Sequence, residues 1–177
     1  MKLRFTYLVV VLVALNIAAC GKHEESAKVS VAAVKDGYNA TLAEGIQFAA
    51  KPNYPSFIKS VAGMSDYEAT GRWSDGKKVT FTFAQNLPAS FTLNVDLTST
   101  FGPNIGKATQ IRVGNWEQQM IAQDGGNSTQ SFQVKTDSAG NTIEFVIPEP
   151  KSPKELGMGN DERMLGIMFK RLIIIAN

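Results

Sequence analysis

The stretch Phe91-Thr92-Leu93-Asn94-Val95-Asp96-Leu97-Thr98 places an apolar residue at every second position. Successive side chains of an extended chain point to opposite faces, so a period of two specifies a strand with one face on a core and the other in polar surroundings. A helix would scatter the same residues around its circumference. Shorter versions of the pattern recur at 79–83, 110–113, 117–122, 131–134, 142–147 and 165–175, with a weaker one at 45–49. Residues 172–175 are apolar on both faces, which places the last strand centrally in a sheet. Turn-forming clusters lie between these runs at Asn86-Leu87-Pro88, Gly102-Pro103-Asn104, Asp124-Gly125-Gly126-Asn127 and Ser138-Ala139-Gly140-Asn141. About eight short strands at this spacing predict an all-β domain, a single jelly-roll-like β-sandwich over residues 38–177.

The N-terminus carries a different signal. Lys2 and Arg4 precede an apolar run, residues 7–15, and Ile17-Ala18-Ala19-Cys20 closes it. That order is a secretory leader, and the run falls short of the ~20 residues that cross a bilayer as a helix. Small residues before a cysteine resemble the bacterial lipobox, which implies cleavage after residue 19 and a diacylglycerol on Cys20. An acylated cysteine would tie the chain to a membrane, at about 0.8 kcal/mol per buried methylene. Gly21 after the cysteine favours the periplasmic side of the outer membrane over the inner membrane. Cys20 is the only cysteine, so an internal disulfide is excluded. Residues 20–37 read as anchor and tether.

Loss of the leader removes two of the 18 basic residues and leaves a chain balanced against its 16 acidic ones. Without a basic run there is no electrostatic case for nucleic acid as a partner. His23, the single histidine, sits in the tether. Most zinc sites and hydrolytic triads require a placed histidine, so the sequence argues against both, and no cofactor or metal is expected. The Asp124 loop supplies too few carboxylates to predict calcium.

Two segments interrupt the strands. Residues 51–77 carry Pro52, Pro55, a short apolar pattern at Phe57, Ile58 and Val61, and then Gly71-Arg72-Trp73-Ser74-Asp75-Gly76. Residues 149–167 contain Ser152 as N-cap, Pro153 at the first helical position, Glu155 three residues after the cap and Gly157 as a stop, which predicts one helical turn at 152–157. Asp161 and Arg163 follow. Trp73 with Arg72 and Asp75 suits a sugar platform, an indole face for a pyranose ring beside a guanidinium and a carboxylate for its hydroxyls or a phosphoryl group. Asp161 and Arg163 join it if both interruptions meet at one end of the sandwich. The other reading is structural: Trp73 caps the core, Ser74-Asp75-Gly76 forms a turn, and Asp161 with Arg163 pins a loop. Trp116 reads as core or edge packing.

Gly71-Arg72-Trp73-Ser74-Asp75, Phe101-Gly102-Pro103-Asn104, Ser152-Pro153-Lys154-Glu155-Leu156-Gly157 and the run from Asp161 and Arg163 to Leu165-Gly166-Ile167 are specific in combination. Over about 45–175 the chain resembles the C-terminal β-sandwich domain of bacterial phosphoglycerol transferases that decorate periplasmic glucans. The resemblance implies a non-catalytic module that binds envelope glycan or docks on a membrane-bound glycan-modifying enzyme. It does not carry over transferase activity, because the membrane region and metal-dependent catalytic domain have no counterpart in this sequence. The alternative is an envelope lipoprotein that recognises a protein and has no glycan site.

Overall fold

The computed structural model describes residues 31–123, 127–137 and 140–177. The segments read as leader and, for the most part, as tether lie outside these residues with Cys20 and His23, as do Asp124-Gly125-Gly126 and Ser138-Ala139 of two expected turns. No helix among the described residues is long and apolar enough to cross a membrane.

Eleven strands are present among the described residues: β1 (Val31–Ala33), β2 (Ile46–Gln47), β3 (Ile58–Ala62), β4 (Arg72–Asp75), β5 (Lys78–Phe83), β6 (Ser90–Thr100), β7 (Ala108–Val113), β8 (Trp116–Ile121), β9 (Ser128–Lys135), β10 (Thr142–Val146) and β11 (Leu165–Ala176). They form two antiparallel sheets. One has the order β1-β3-β5-β10-β7-β8, the other β2-β11-β6-β9, with β4 also paired to β11. The chain changes sheet at every connection except the β7–β8 hairpin. The molecule is the all-β sandwich that the alternation predicts.

The apolar halves of the alternating strands meet between the sheets. Phe91, Leu93, Val95 and Leu97 of β6 are buried, and Val79, Phe81 and Phe83 of β5 face them from the other sheet. Phe169 lies at the centre, with ring centroids 5.0 Å from Phe145 and 6.0 Å from Phe81, both edge-on. Such T-shaped pairs contribute about 0.5–1.5 kcal/mol beyond their buried area. β11 is central as expected, bonded to β6 on one edge and to β2 and β4 on the other.

Three strands exceed the expected set of about eight. β1 lies inside the segment read as tether; its residues are all exposed and only backbone pairing to β3 holds it. In β3 a register shift between Ile58 and Ser60 brings Ile58 and Val61 onto the core at a spacing of three, which disguises the strand's period. β4 is the Arg-Trp-Ser-Asp stretch. At 152–157 the capping box forms: the Glu155 amide donates to Ser152 Oγ at 3.0 Å, and the Ser152 amide donates to Glu155 Oε2 at 3.1 Å. The segment closes as a hydrogen-bonded turn through Leu156 N–H to Ser152 O and does not extend into a helix. A short 3₁₀ turn, Gly102–Asn104, is the element of helical type among the described residues.

Candidate functional site

The Arg72–Asp75 stretch is a strand bonded along both edges. On one side it pairs with β11, Trp73 opposite Met168 and Arg72 opposite Phe169. On the other, Ser65 N–H donates to Trp73 O at 2.9 Å and Asp75 N–H to Gly63 O at 2.8 Å. The turn expected at Ser74-Asp75-Gly76 therefore begins two residues later, at Gly76, because Ser74 and Asp75 are still in the ladder. Glycine is required on both flanks. A Cβ on Gly71 would stand 2.3 Å from the Phe169 carbonyl oxygen, and one on Gly63, at φ +72°, 1.9 Å from that of Lys78.

Alternation then divides the four side chains between two faces. Ser74 points inward, is fully buried, and its hydroxyl accepts the Ile167 amide at 3.0 Å. Arg72, on the same side, reaches over the Tyr54 ring at 4.6 Å, donates to the Tyr54 hydroxyl at 3.1 Å and also bonds the Pro52 carbonyl. Burial pushes the Tyr54 phenol above its ordinary range, while the Arg72 cation opposes that shift. Trp73 and Asp75 take the other face. The half-buried indole meets Phe101 edge-on at 6.0 Å, and Asp75 Oδ1 accepts the Met164 amide at 2.8 Å. Arg72 is therefore not beside Trp73 on one surface, as a single sugar platform would require.

The two interruptions do meet at one end of the sandwich. Arg163 Nη1 donates to Glu68 Oε1 at 2.8 Å, in the loop just before β4. Its Nε and Nη2 fork onto Asp161, the closest contact being 2.7 Å. The hydrogen bonds from Arg163 hold the Asp161 carboxyl below the usual carboxylate range, and the two carboxylates raise the guanidinium further above its own. Gly76 N–H donates to Met164 O at 2.8 Å and completes the seam. The Gly102–Asn104 turn joins the same end: Phe101 touches Trp73, and Gly102 lies against Leu156. Trp73, Asp75, Asp161 and Arg163 are thus brought together, with Arg72 on the far side of β4. Trp116 packs edge-on against Phe132 at 6.4 Å, as core-edge packing.

Two residues at this end carry weight that sequence reasoning did not assign. Glu68 shares Arg163, yet nothing in its polar loop marks it. Asn104 is buried; its amide donates to the Phe101 and Glu149 carbonyls at 3.1 and 2.8 Å and its oxygen accepts Glu149 N–H at 2.9 Å. An asparagine ending a Gly-Pro turn was the available signal.

These pieces coincide with a known sequence family. The profile of the domain of unknown function DUF7024 matches residues 33–176, almost the whole sandwich. The chain belongs to the DUF7024 family. This DUF7024 sandwich is also 33% identical over 127 residues to "Phosphoglycerol transferase I" of Escherichia fergusonii, and 35% identical over 126 residues to proteins of that name from Salmonella newport and Salmonella typhi. Each alignment covers 68% of this chain and 16% of the relative. The chain thus corresponds to a small part of the relatives it matches. No solved structure matches it.

Proposed function

We propose that the chain is a non-catalytic module of the bacterial envelope, lipid-anchored through Cys20, that binds envelope glycan for glycan-modifying machinery. The observation that carries this reading is the proportion of the likeness: most of this chain aligns with only 16% of transferases named for phosphoglycerol. A segment that small serves an enzyme by holding substrate or a partner. The end of the sandwich that carries Trp73 and Arg163 supports the reading in its chemistry. Arg163 is shared between Asp161 and Glu68, which leaves that cluster one net negative charge, while the Trp73 indole at the same end of the sandwich retains an exposed part. Stacking of a pyranose on such a face, with hydroxyls on the flanking carboxylates, needs no reacting group.

A specific observation favours a second reading, docking on a protein. Ile105, Leu156 and Met158 are exposed at the same end, Met158 by 68%. Exposed apolar side chains gathered near an aromatic mark contact surfaces. The two readings separate in one titration. With Trp116→Phe leaving Trp73 as reporter, phosphoglycerol-substituted periplasmic glucan is expected to change the fluorescence saturably. A signal insensitive to substituted and bare glucan alike would count against glycan at this end and favour the protein partner.

A further inference from the structure

A polar cleft of about 390 Å³ lies on the outer face of the second sheet, lined by Gln47, Asp96, Thr129, Lys170 and Arg171. Register builds it. Gln47 of β2 stands opposite Arg171 of β11, Arg171 opposite Asp96 of β6, and Asp96 opposite Thr129 of β9. Directly opposed residues share a face, so these four polar side chains form one row across four strands. The adjacent row, Ile46, Leu172 and Val95, is buried on the core side. A bulge in β11 between Phe169 and Arg171 breaks the alternation and leaves Lys170 and Arg171 both exposed. Two cations therefore flank a carboxylate that is 7% exposed.

The donors and acceptors of the cleft are only partly used by the protein. Arg171 Nε donates to Asp96 Oδ2 at 2.8 Å, and its two terminal nitrogens make no hydrogen bond among the described residues. Lys170 Nζ donates once, to Asn127 Oδ1 at 3.1 Å. Asp96 Oδ1 is buried without a partner among the described residues. A buried carboxylate oxygen lacking a donor is uncommon and calls for an explanation, since such groups are nearly always satisfied. Asp96 lines the cleft, and the torsion about its Cβ–Cγ bond is soft.

The geometry points to this cleft as a binding subsite for a phosphate ester of a polyol. The free fork of Arg171 takes two phosphoryl oxygens, Lys170 adds a point charge, and Asp96 Oδ1 accepts a hydroxyl of the same ligand. Two cations and one carboxylate leave a net positive charge, the sign that an anionic phosphoryl group requires. A neutral sugar would leave the Arg171 fork unpaired, and a bare anion would leave Asp96 unsatisfied. This deepens the glycan reading and rests on it for the class of ligand, because a phosphoglycerol substituent on a glucan carries both groups.

The test is an amide-resolved NMR titration of the full chain in detergent micelles with glycerol 1-phosphate, and separately with glycerol and with inorganic phosphate. Saturable shifts at Asp96, Thr129 and Arg171 are expected with glycerol 1-phosphate, and weaker ones in the other two arms. Arg171→Gln and Asp96→Asn should each weaken binding about tenfold or more, the scale of one charge-assisted hydrogen bond. Arg171→Lys, which keeps the charge without the fork, should weaken it too; it stands in if Arg171→Gln disturbs folding. Absence of saturable shifts at these amides, or affinity unchanged in all three variants, would overturn the subsite. Equal response to inorganic phosphate would overturn the polyol half. Shifts confined to Trp73 and Arg163 would overturn the cleft and leave glycan binding standing. Cleft shifts in a protein indifferent to whole glucan would keep the subsite and remove the glycan reading.

Discussion

Ser74 is the residue by which the Arg72–Asp75 stretch enters the core, and Ser74→Ala isolates its contribution. Its hydroxyl accepts the Ile167 amide at 3.0 Å, and both residues are fully buried. The site has no slack: a Cβ built on Gly166 would lie 2.9 Å from Ser74 Oγ and 2.4 Å from Ile147 Cγ2. Water therefore cannot replace the lost acceptor, and the Ile167 N–H is orphaned. An unsatisfied buried donor costs about 1–3 kcal/mol, so the variant should lose about 2 kcal/mol. For a chain of this size that lowers Tm by about 4–8 °C. In urea the midpoint should fall while the m-value stays constant, because the surface exposed on unfolding is unchanged. Hydrogen exchange gives the local readout, with protection of the Ile167 amide falling by a factor of about 30. Asp75→Asn is the control, since an amide oxygen still accepts Met164 N–H. A loss below about 0.5 kcal/mol with Ile167 still protected would refute the reasoning, since it would mean the hydroxyl is not this amide's partner.

Asn104→Ala should cost about 3 kcal/mol, because it removes three hydrogen bonds of a buried side chain, two joining the Gly102–Asn104 turn to Glu149 and one closing the turn on the Phe101 carbonyl; a urea midpoint near wild type would contradict this. Trp73→Ala should cost less than the 3–5 kcal/mol typical of fully buried aromatics, about 2 kcal/mol by thermal unfolding, since the indole is only partly covered. The Asp161 carboxyl is depressed by its hydrogen bonds to Arg163, so its contribution is complete above the unfolded value of about 3.9 and is lost as pH falls through the lower folded value; side-chain carboxyl NMR should place its midpoint below that of a free aspartate, and exchange protection across 151–165 should drop only in that acid window. Tyr54 is displaced upward by burial, so its stabilisation holds below about pH 10 and is lost as pH rises through the folded value; removing the opposing cation with Arg72→Met should move the tyrosinate absorbance midpoint higher still.

The strands legible in the sequence are those whose inward positions are apolar and evenly spaced, β5, β6 and β10 above all. β4 escapes this logic because its one core-facing residue of full burial is a serine, held by a hydrogen bond instead of apolar contact. β3 escapes because its bulge converts a period of two into an apparent spacing of three. The meeting of Asp161 and Arg163 with the loop before β4 was readable as a conditional, dependent on where two interruptions fall in space. That Arg72 and Trp73 part company follows from alternation alone, once the stretch is known to be a strand. The outer-face cleft was not readable. Asp96 was visible as an outward position of β6, yet its alignment with Gln47, Arg171 and Thr129 depends on strand order and on a bulge, which pairs residues far apart in the chain.

Glycan binding by this sandwich is tested most directly by calorimetric titration of the full chain in detergent with phosphoglycerol-substituted periplasmic glucan, with bare glucan in parallel. Saturable heat with the substituted polymer, reduced with the bare one and by Trp73→Ala at temperatures where that variant remains folded, is the predicted result. No heat with either glucan from a folded wild-type chain would contradict the account and direct attention to a protein partner at the Ile105, Leu156 and Met158 surface.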